Sequence, residues 1–124
     1  MRNERRRHVR FRAQENAYAA LGRKYSRVGK IRDISIGGLA LEYIAGEGSP
    51  LETSQIDIFL TENNFQIYNL SCKVVYDVVV YVPRVKSQFS DLLLTRRCGI
   101  RFGALSVSNR RRLRVFIEGQ AEGD

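Results

Sequence analysis

Tyr68-Asn69-Leu70-Ser71-Cys72-Lys73-Val74-Val75-Tyr76-Asp77-Val78 is the stretch that decides the fold class. Tyr68, Leu70, Cys72, Val74, Tyr76 and Val78 hold one phase of a period-two pattern, and Asn69, Ser71, Lys73 and Asp77 occupy most of the other. Successive side chains of a strand point to opposite faces, so this reads as a strand with one face in a core and one in water. From Val78 to Val82 both phases turn apolar, and Pro83 ends the run. That run is β-branched and far short of the roughly 18 apolar residues that a membrane-spanning helix needs.

The same grammar repeats on either side. Downstream, Lys86 to Asp91 reads as the turn of a long hairpin, and Leu92 to Phe102 as a returning strand with Cys98, Ile100 and Phe102 in phase. Upstream, Ala17 to Leu21, Val28 to Asp33, Leu39 to Tyr43 and Ile56 to Leu60 read as four further short strands, separated by glycine-bearing turns. After the last strand the period changes. Ser106 is a helix N-cap candidate, and Leu113, Phe116 and Ile117 stand at i, i+3, i+4 among Arg110, Arg111, Arg112 and Arg114. Gly119 reads as the stop signal with a tail beyond it. Six short strands and one final helix argue for an all-β chain whose antiparallel sheet closes into a barrel, because closure removes the edges such strands would expose.

At 124 residues the chain is long enough for one domain with one modest core. Its formal net charge of +8 and pI of about 10.0 point to an anionic partner: nucleic acid, nucleotide, anionic membrane or acidic protein. Cys72 and Cys98 sit in apolar, strand-like stretches with no Cys-x-x-Cys spacing. They read as small buried residues in a reducing cytoplasm rather than as a disulfide or zinc site. The N-terminus is charged and leads into no apolar segment of secretory type, so neither export nor membrane insertion is expected.

Two motifs carry the chemistry. Arg6-Arg7-His8-Val9-Arg10 places Arg-x-x-x-Arg inside an arm that holds Arg2, Arg5, Arg6, Arg7, Arg10 and Arg12 and no lysine. Guanidinium is planar and always charged; it grips phosphate bidentately, reads the O6/N7 edge of guanine and stacks on purine faces. In extended chain Arg6 and Arg10 lie at most about 13 Å apart on one side, which suits bracketing a compact dinucleotide. The blander reading is a solvated basic tail that touches nucleic acid nonspecifically. The second motif is Asp33-Ile34-Ser35-Ile36-Gly37-Gly38. A carboxylate at Asp33 accepts from a guanine N1–H and N2–H₂ edge, the Ser35 hydroxyl braces the turn or donates, and Gly37 and Gly38 allow close approach. Its blander reading is a turn capped by its own Asp and Ser.

Together and in this order, the two motifs resemble the PilZ domain family, whose members have Arg-x-x-x-Arg in a flexible N-terminal segment and Asp/Asn-x-Ser-x-x-Gly on the barrel. Gly99-Ile100-Arg101-Phe102 followed by a helix is also similar to the family's closing strand and helix. The resemblance runs from about Arg5 to Ile117. It implies a six-stranded barrel that binds cyclic di-GMP, with a flexible basic arm over residues 1–12, the barrel and helix over 13–120, and a tail at 121–124. Arg6 and Arg10 would hold phosphate and guanine groups, and Asp33, Ser35, Gly37 and Gly38 would lie against a guanine. Arg5 is of the type that in this family favours a stacked, intercalated ligand dimer. The arm would swing onto the barrel with the ligand, and the new surface would be read by a downstream protein. Two features depart from the pattern: Val9 stands where many members have proline, and the hairpin from Val78 to Leu94 is long, its Val79, Tyr81 and Val82 an extension or a partner-binding surface.

Rival readings rank lower. Catalysis is not expected: the sole histidine, His8, sits among arginines, and the sequence offers no nucleophile–base pair, metal-ligand cluster or phosphate loop. A small basic barrel binding RNA or DNA suits the charge but lacks an evident exposed aromatic cluster. A PilZ-like adaptor working through protein contacts alone is the third reading. The oligomeric state stays open, a homodimer included.

Overall fold

The computed structural model describes residues 9–22, 27–45, 54–62, 64–82 and 93–122. They form β1 (Phe11–Arg12), β2 (Ala17–Leu21), β3 (Arg27–Ser35), β4 (Gly38–Ala45), β5 (Gln55–Leu60), β6 (Gln66–Tyr81), β7 (Leu94–Phe102) and one helix, α1 (Val107–Glu122). Every strand pair is antiparallel. The order β3-β2-β5-β6-β7-β4 closes on itself through β3–β4 pairing, giving a six-stranded barrel. The two-residue β1 adds to β3 beyond the end of β2, with Phe11 opposite Ile34 and Arg12 opposite Asp33.

The barrel interior is filled by Leu21, Ile31, Ile34, Leu39, Leu41, Ile56, Ile58, Ile67 and Leu70, all buried, with Cys72, Cys98, Ile100 and Phe102 beside them. Both cysteines are free thiols whose ionisation burial pushes up, to about 11 for Cys72 and about 12 for Cys98. α1 begins where its sequence signal lies: the Asn109 amide donates to Ser106 Oγ at 3.0 Å. Its apolar stripe, Leu113, Phe116 and Ile117, packs into the core, and Phe116 stacks on Phe65 at 5.6 Å. Burial of each such side chain is worth about 1.5–3 kcal/mol. That gain holds the helix on the barrel, since its arginine-covered remainder gains nothing comparable.

Three expectations need correction. Tyr68, Tyr76 and Val78 do not join Leu70 and Cys72 on the core face; they are 53%, 41% and 47% exposed. β6 has three bulges, and the first two flip the phase of these side chains. The first lies where Ile56 and Ile58 pair with Leu70 and Ile67, and Asn69 takes a left-handed φ of 57° there. The second lies where Val74 pairs with Ile100 and Tyr76 already pairs with Gly99. Past it Asp77, expected in water, turns inward instead.

The helix does not stop at Gly119. It continues to Glu122, because the buried Gln120 has a partner: its Oε1 accepts from the Gln14 amide at 2.6 Å. Gln14 Nε2 donates back to the Gly119 carbonyl at 2.7 Å, and the Ala13 amide to the Arg32 carbonyl at 2.9 Å. The segment after Arg12 is therefore tied to β3 and α1 at once. The hairpin tip expected at Lys86 to Asp91 lies outside the described residues.

Candidate ligand-binding site

The two sequence motifs meet. Arg10 stands just ahead of β1, whose register sets Arg12 opposite Asp33, and the Arg10 side chain reaches across to Asp33 on β3. Arg10 Nε donates to Asp33 Oδ1 at 2.6 Å, and Nη2 reaches the same oxygen at 2.6 Å. The pair is 23 residues apart in sequence and only partly covered, with side-chain exposures of 23% and 34%. Both nitrogens converge on Oδ1. Arg5 and Arg6 lie outside the described residues.

Ser35 and the glycines have local duties. Ser35 is 2% exposed; its Oγ accepts from the Gly37 amide at 3.1 Å and lies 3.4 Å from the Gly38 carbonyl. The hydroxyl thus braces the two-residue turn between β3 and β4. Among the described glycines only Gly22 has a positive φ, so neither Gly37 nor Gly38 uses glycine's left-handed freedom. Gly38 is small for another reason. A β-carbon there would sit 2.1 Å from the Ile100 carbonyl oxygen on β7.

Around Asp33 the barrel's outer face carries residues that sequence reasoning missed. One register row runs Asp33, Ala40, Gly99, Tyr76 across β3, β4, β7 and β6. With strands about 4.8 Å apart, Asp33 and Tyr76 stand roughly 14 Å apart, and only a methyl and a hydrogen lie between. The flanking rows hold Gly38, Arg101 and Lys73 on one side and Glu42, Arg97 and Val78 on the other. Arg97 Nε donates to Glu42 Oε2 at 3.0 Å, and Arg32 lies 3.7 Å from the other oxygen of Glu42. The Glu42 hydrogen bond raises the Arg97 pKa against desolvation, and Tyr76 and Asp33 add to it, so these groups share one electrostatic neighbourhood. The result is a low floor with a carboxylate at one end, an aromatic ring at the other, and a cationic rim of Arg10, Arg32, Arg97, Arg101 and Lys73. Such a rim suits phosphates, and such a floor suits a flat base. The missed signal was Gly99 in the interior of a strand, a mark of close approach by a neighbour.

The PilZ domain profile matches residues 4–119. The chain belongs to the PilZ domain family. No curated protein sequence matches it. Among solved structures it is similar to the PilZ domain of YcgR from Escherichia coli with c-di-GMP, at 16% identity and a TM-score of 0.67, covering 96% of this chain and 93% of that one. It is also similar to the K. pneumonia MrkH–c-di-GMP complex, at 21% identity and a TM-score of 0.62, covering 95% of this chain and 55% of that one. The apo form of MrkH gives 18% identity, a TM-score of 0.61 and coverages of 99% and 51%. The chain spans about half of MrkH and 47% of the longer YcgR structure. At these identities the likeness establishes the PilZ fold.

Two other clusters on this PilZ barrel bear on function. Asp77, turned inward by the second bulge, has a side chain only 1% exposed; it accepts from Arg96 Nε at 3.0 Å and from the Tyr43 hydroxyl at 2.6 Å. Arg27 lies 5.7 Å from the Tyr43 ring. The Asp77, Arg96 and Tyr43 bonds tie β4, β6 and β7 together behind the floor. On the outer face of β2 and β5, Tyr18 stacks on Phe59 at 6.0 Å, and Val28, Phe59 and Tyr68 line a shallow pocket. The sequence had offered no evident aromatic cluster; register assembles one. Among the described residues no helix is long and apolar enough to cross a membrane, and no group of His, Cys, Asp and Glu forms a metal site.

Proposed function

We propose that this chain is a cyclic di-GMP receptor domain in which the arginine arm and the Asp33 corner of the barrel close on one ligand. The observation that supports this is the 2.6 Å contact between Arg10 and Asp33, which joins the two motifs at one place on the outer barrel face. Before ligand arrives, the arginine and the aspartate neutralise each other. A ligand phosphate then competes for the guanidinium, and a guanine N1–H and N2–H₂ edge takes the carboxylate, so each member of the pair exchanges one charged partner for another. Arg6 and Arg5, ahead of Arg10, bring further guanidinium groups onto phosphate and purine, and Arg5 favours two intercalated ligands. Ser35, Gly37 and Gly38 hold the turn beside the guanine. The liganded surface is read by a partner protein of the kind that sets motility, pilus assembly or polysaccharide export, in the cytoplasm, where both thiols stay reduced. The role is binding, not catalysis.

Ordering the arm costs conformational entropy, so micromolar affinity, about 8 kcal/mol, needs several charge-assisted bonds. Loss of one buried arginine–anion pair costs roughly 2–5 kcal/mol. Calorimetric titration of the full chain with cyclic di-GMP is therefore expected to show Arg6→Ala and Arg10→Ala each at least tenfold weaker than the parent. Parent-like binding by both variants would overturn these roles. The Tyr18–Phe59 stack favours a second reading, single-stranded nucleic acid on the opposite aromatic face. Binding of that kind falls steeply with salt, whereas the nucleotide site should hold its ligand at physiological salt against excess duplex DNA.

A further inference from the structure

We infer that Tyr76, seated on Gly99, is the stacking wall of the ligand site and takes the face of one purine; this rests on the receptor reading above. By simple alternation from Leu70, Cys72 and Val74, Tyr76 would enter the core. Instead the β6 bulge at Val75 turns it out, opposite Gly99 and 41% exposed. Bulges re-aim side chains, and this one carries the largest side chain of the row onto its smallest neighbour. A β-carbon on Gly99 would fall 2.1 Å from Tyr76 Cε2, 2.6 Å from Cδ2 and 2.7 Å from Cζ. Three ring atoms that close to a single point mean that the ring lies flat across the Gly99 backbone. One aromatic face is therefore covered and its position fixed, and the other is turned away from the barrel.

What surrounds the ring suits a purine bound to phosphate. Ala40 fills the next place in the row, Asp33 ends it, and Arg97 stands in the adjoining row near enough for the Tyr76 phenol to act on it. A base lying on the ring with its donor edge towards Asp33 would have a phosphate beside Arg97 or Arg101. The competing explanation is purely structural: an aromatic ring shielding a strand glycine. The two make different demands. Shielding needs bulk, whereas stacking needs a π face.

Tyr76→Leu keeps the bulk and removes the face. It is expected to melt close to the parent and to bind cyclic di-GMP about tenfold more weakly by calorimetry. Tyr76→Phe keeps the face and is expected to restore parent affinity. The chain has no tryptophan, so Tyr76→Trp creates a single reporter, and cyclic di-GMP should quench its emission by stacking. Tyr68→Trp, eight residues back along the same strand and roughly 26 Å away, should not be quenched. If Tyr76→Leu binds like the parent, or if Tyr76→Trp binds without quenching, the tyrosine only shields Gly99 and the inference is overturned while the receptor reading stands. If the parent itself takes up no cyclic di-GMP, both fall together.

Discussion

Gly38→Ala separates what the motif glycine does for the fold from what it does for a ligand. The added methyl would lie 2.1 Å from the Ile100 carbonyl oxygen and 3.2 Å from Arg101 Cα. That oxygen is roughly 1 Å inside ordinary contact. It cannot retreat, because Ile100 is paired to Leu39 on one side and to Val74 on the other. The β4–β7 pair must therefore splay at its Gly38–Arg101 end. Overpacking of this kind costs about 1–3 kcal/mol. The neighbouring bond, from the Phe102 amide to the Gly37 carbonyl at 2.9 Å, goes with it. A buried donor left without a partner adds about 1–3 kcal/mol. A total of about 2–6 kcal/mol is a large part of the roughly 5–15 kcal/mol that holds a domain together. Thermal unfolding followed by circular dichroism should show a fall in Tm on the order of 10–20 °C. A variant that melts within about 3 °C of the parent would refute the packing argument. If that same stable variant also lost cyclic di-GMP, the glycine would serve the ligand instead.

Two further outcomes test the network behind the floor. Asp77→Ala leaves Arg96 and the Tyr43 hydroxyl without their shared acceptor in a buried place, and urea unfolding should show a loss of about 3–5 kcal/mol. Tyr43 is held neutral by burial, then by its bond to Asp77, and its pKa is pushed up to about 12. Between pH 10 and 12 the folded chain keeps a proton that the unfolded chain has lost. Its contribution is therefore complete below pH 10 and disappears as pH rises towards 12. Chemical denaturation across that window should show a steeper loss of stability in the parent than in Tyr43→Phe; equal slopes would remove Tyr43 as the cause.

Much of this molecule was written locally. Ala17–Leu21 is a strand with the bounds its apolar run gives. The stripe of Leu113, Phe116 and Ile117 is the buried face of α1, and Ser106 caps that helix. Such features depend on neighbours one to four residues away, which a linear reading sees. The core phase of β6 was not legible, because a single extra residue at each bulge reverses every side chain beyond it, and the only trace in sequence is an asparagine able to take positive φ. The continuation of α1 past Gly119 was also hidden, because Gln14, its hydrogen-bond partner, is 106 residues from Gln120.

Residue order alone carried the strand-rich class, the final helix and two motifs whose side chains suit a purine dinucleotide. Periodicity and side-chain chemistry are properties of residues and their near neighbours. It takes the folded barrel to bring Arg10 to Asp33, Gly38 against Ile100, and Tyr76 onto Gly99. Each of these depends on which strands become neighbours and in what register, and register is set by closure of the whole barrel around its core.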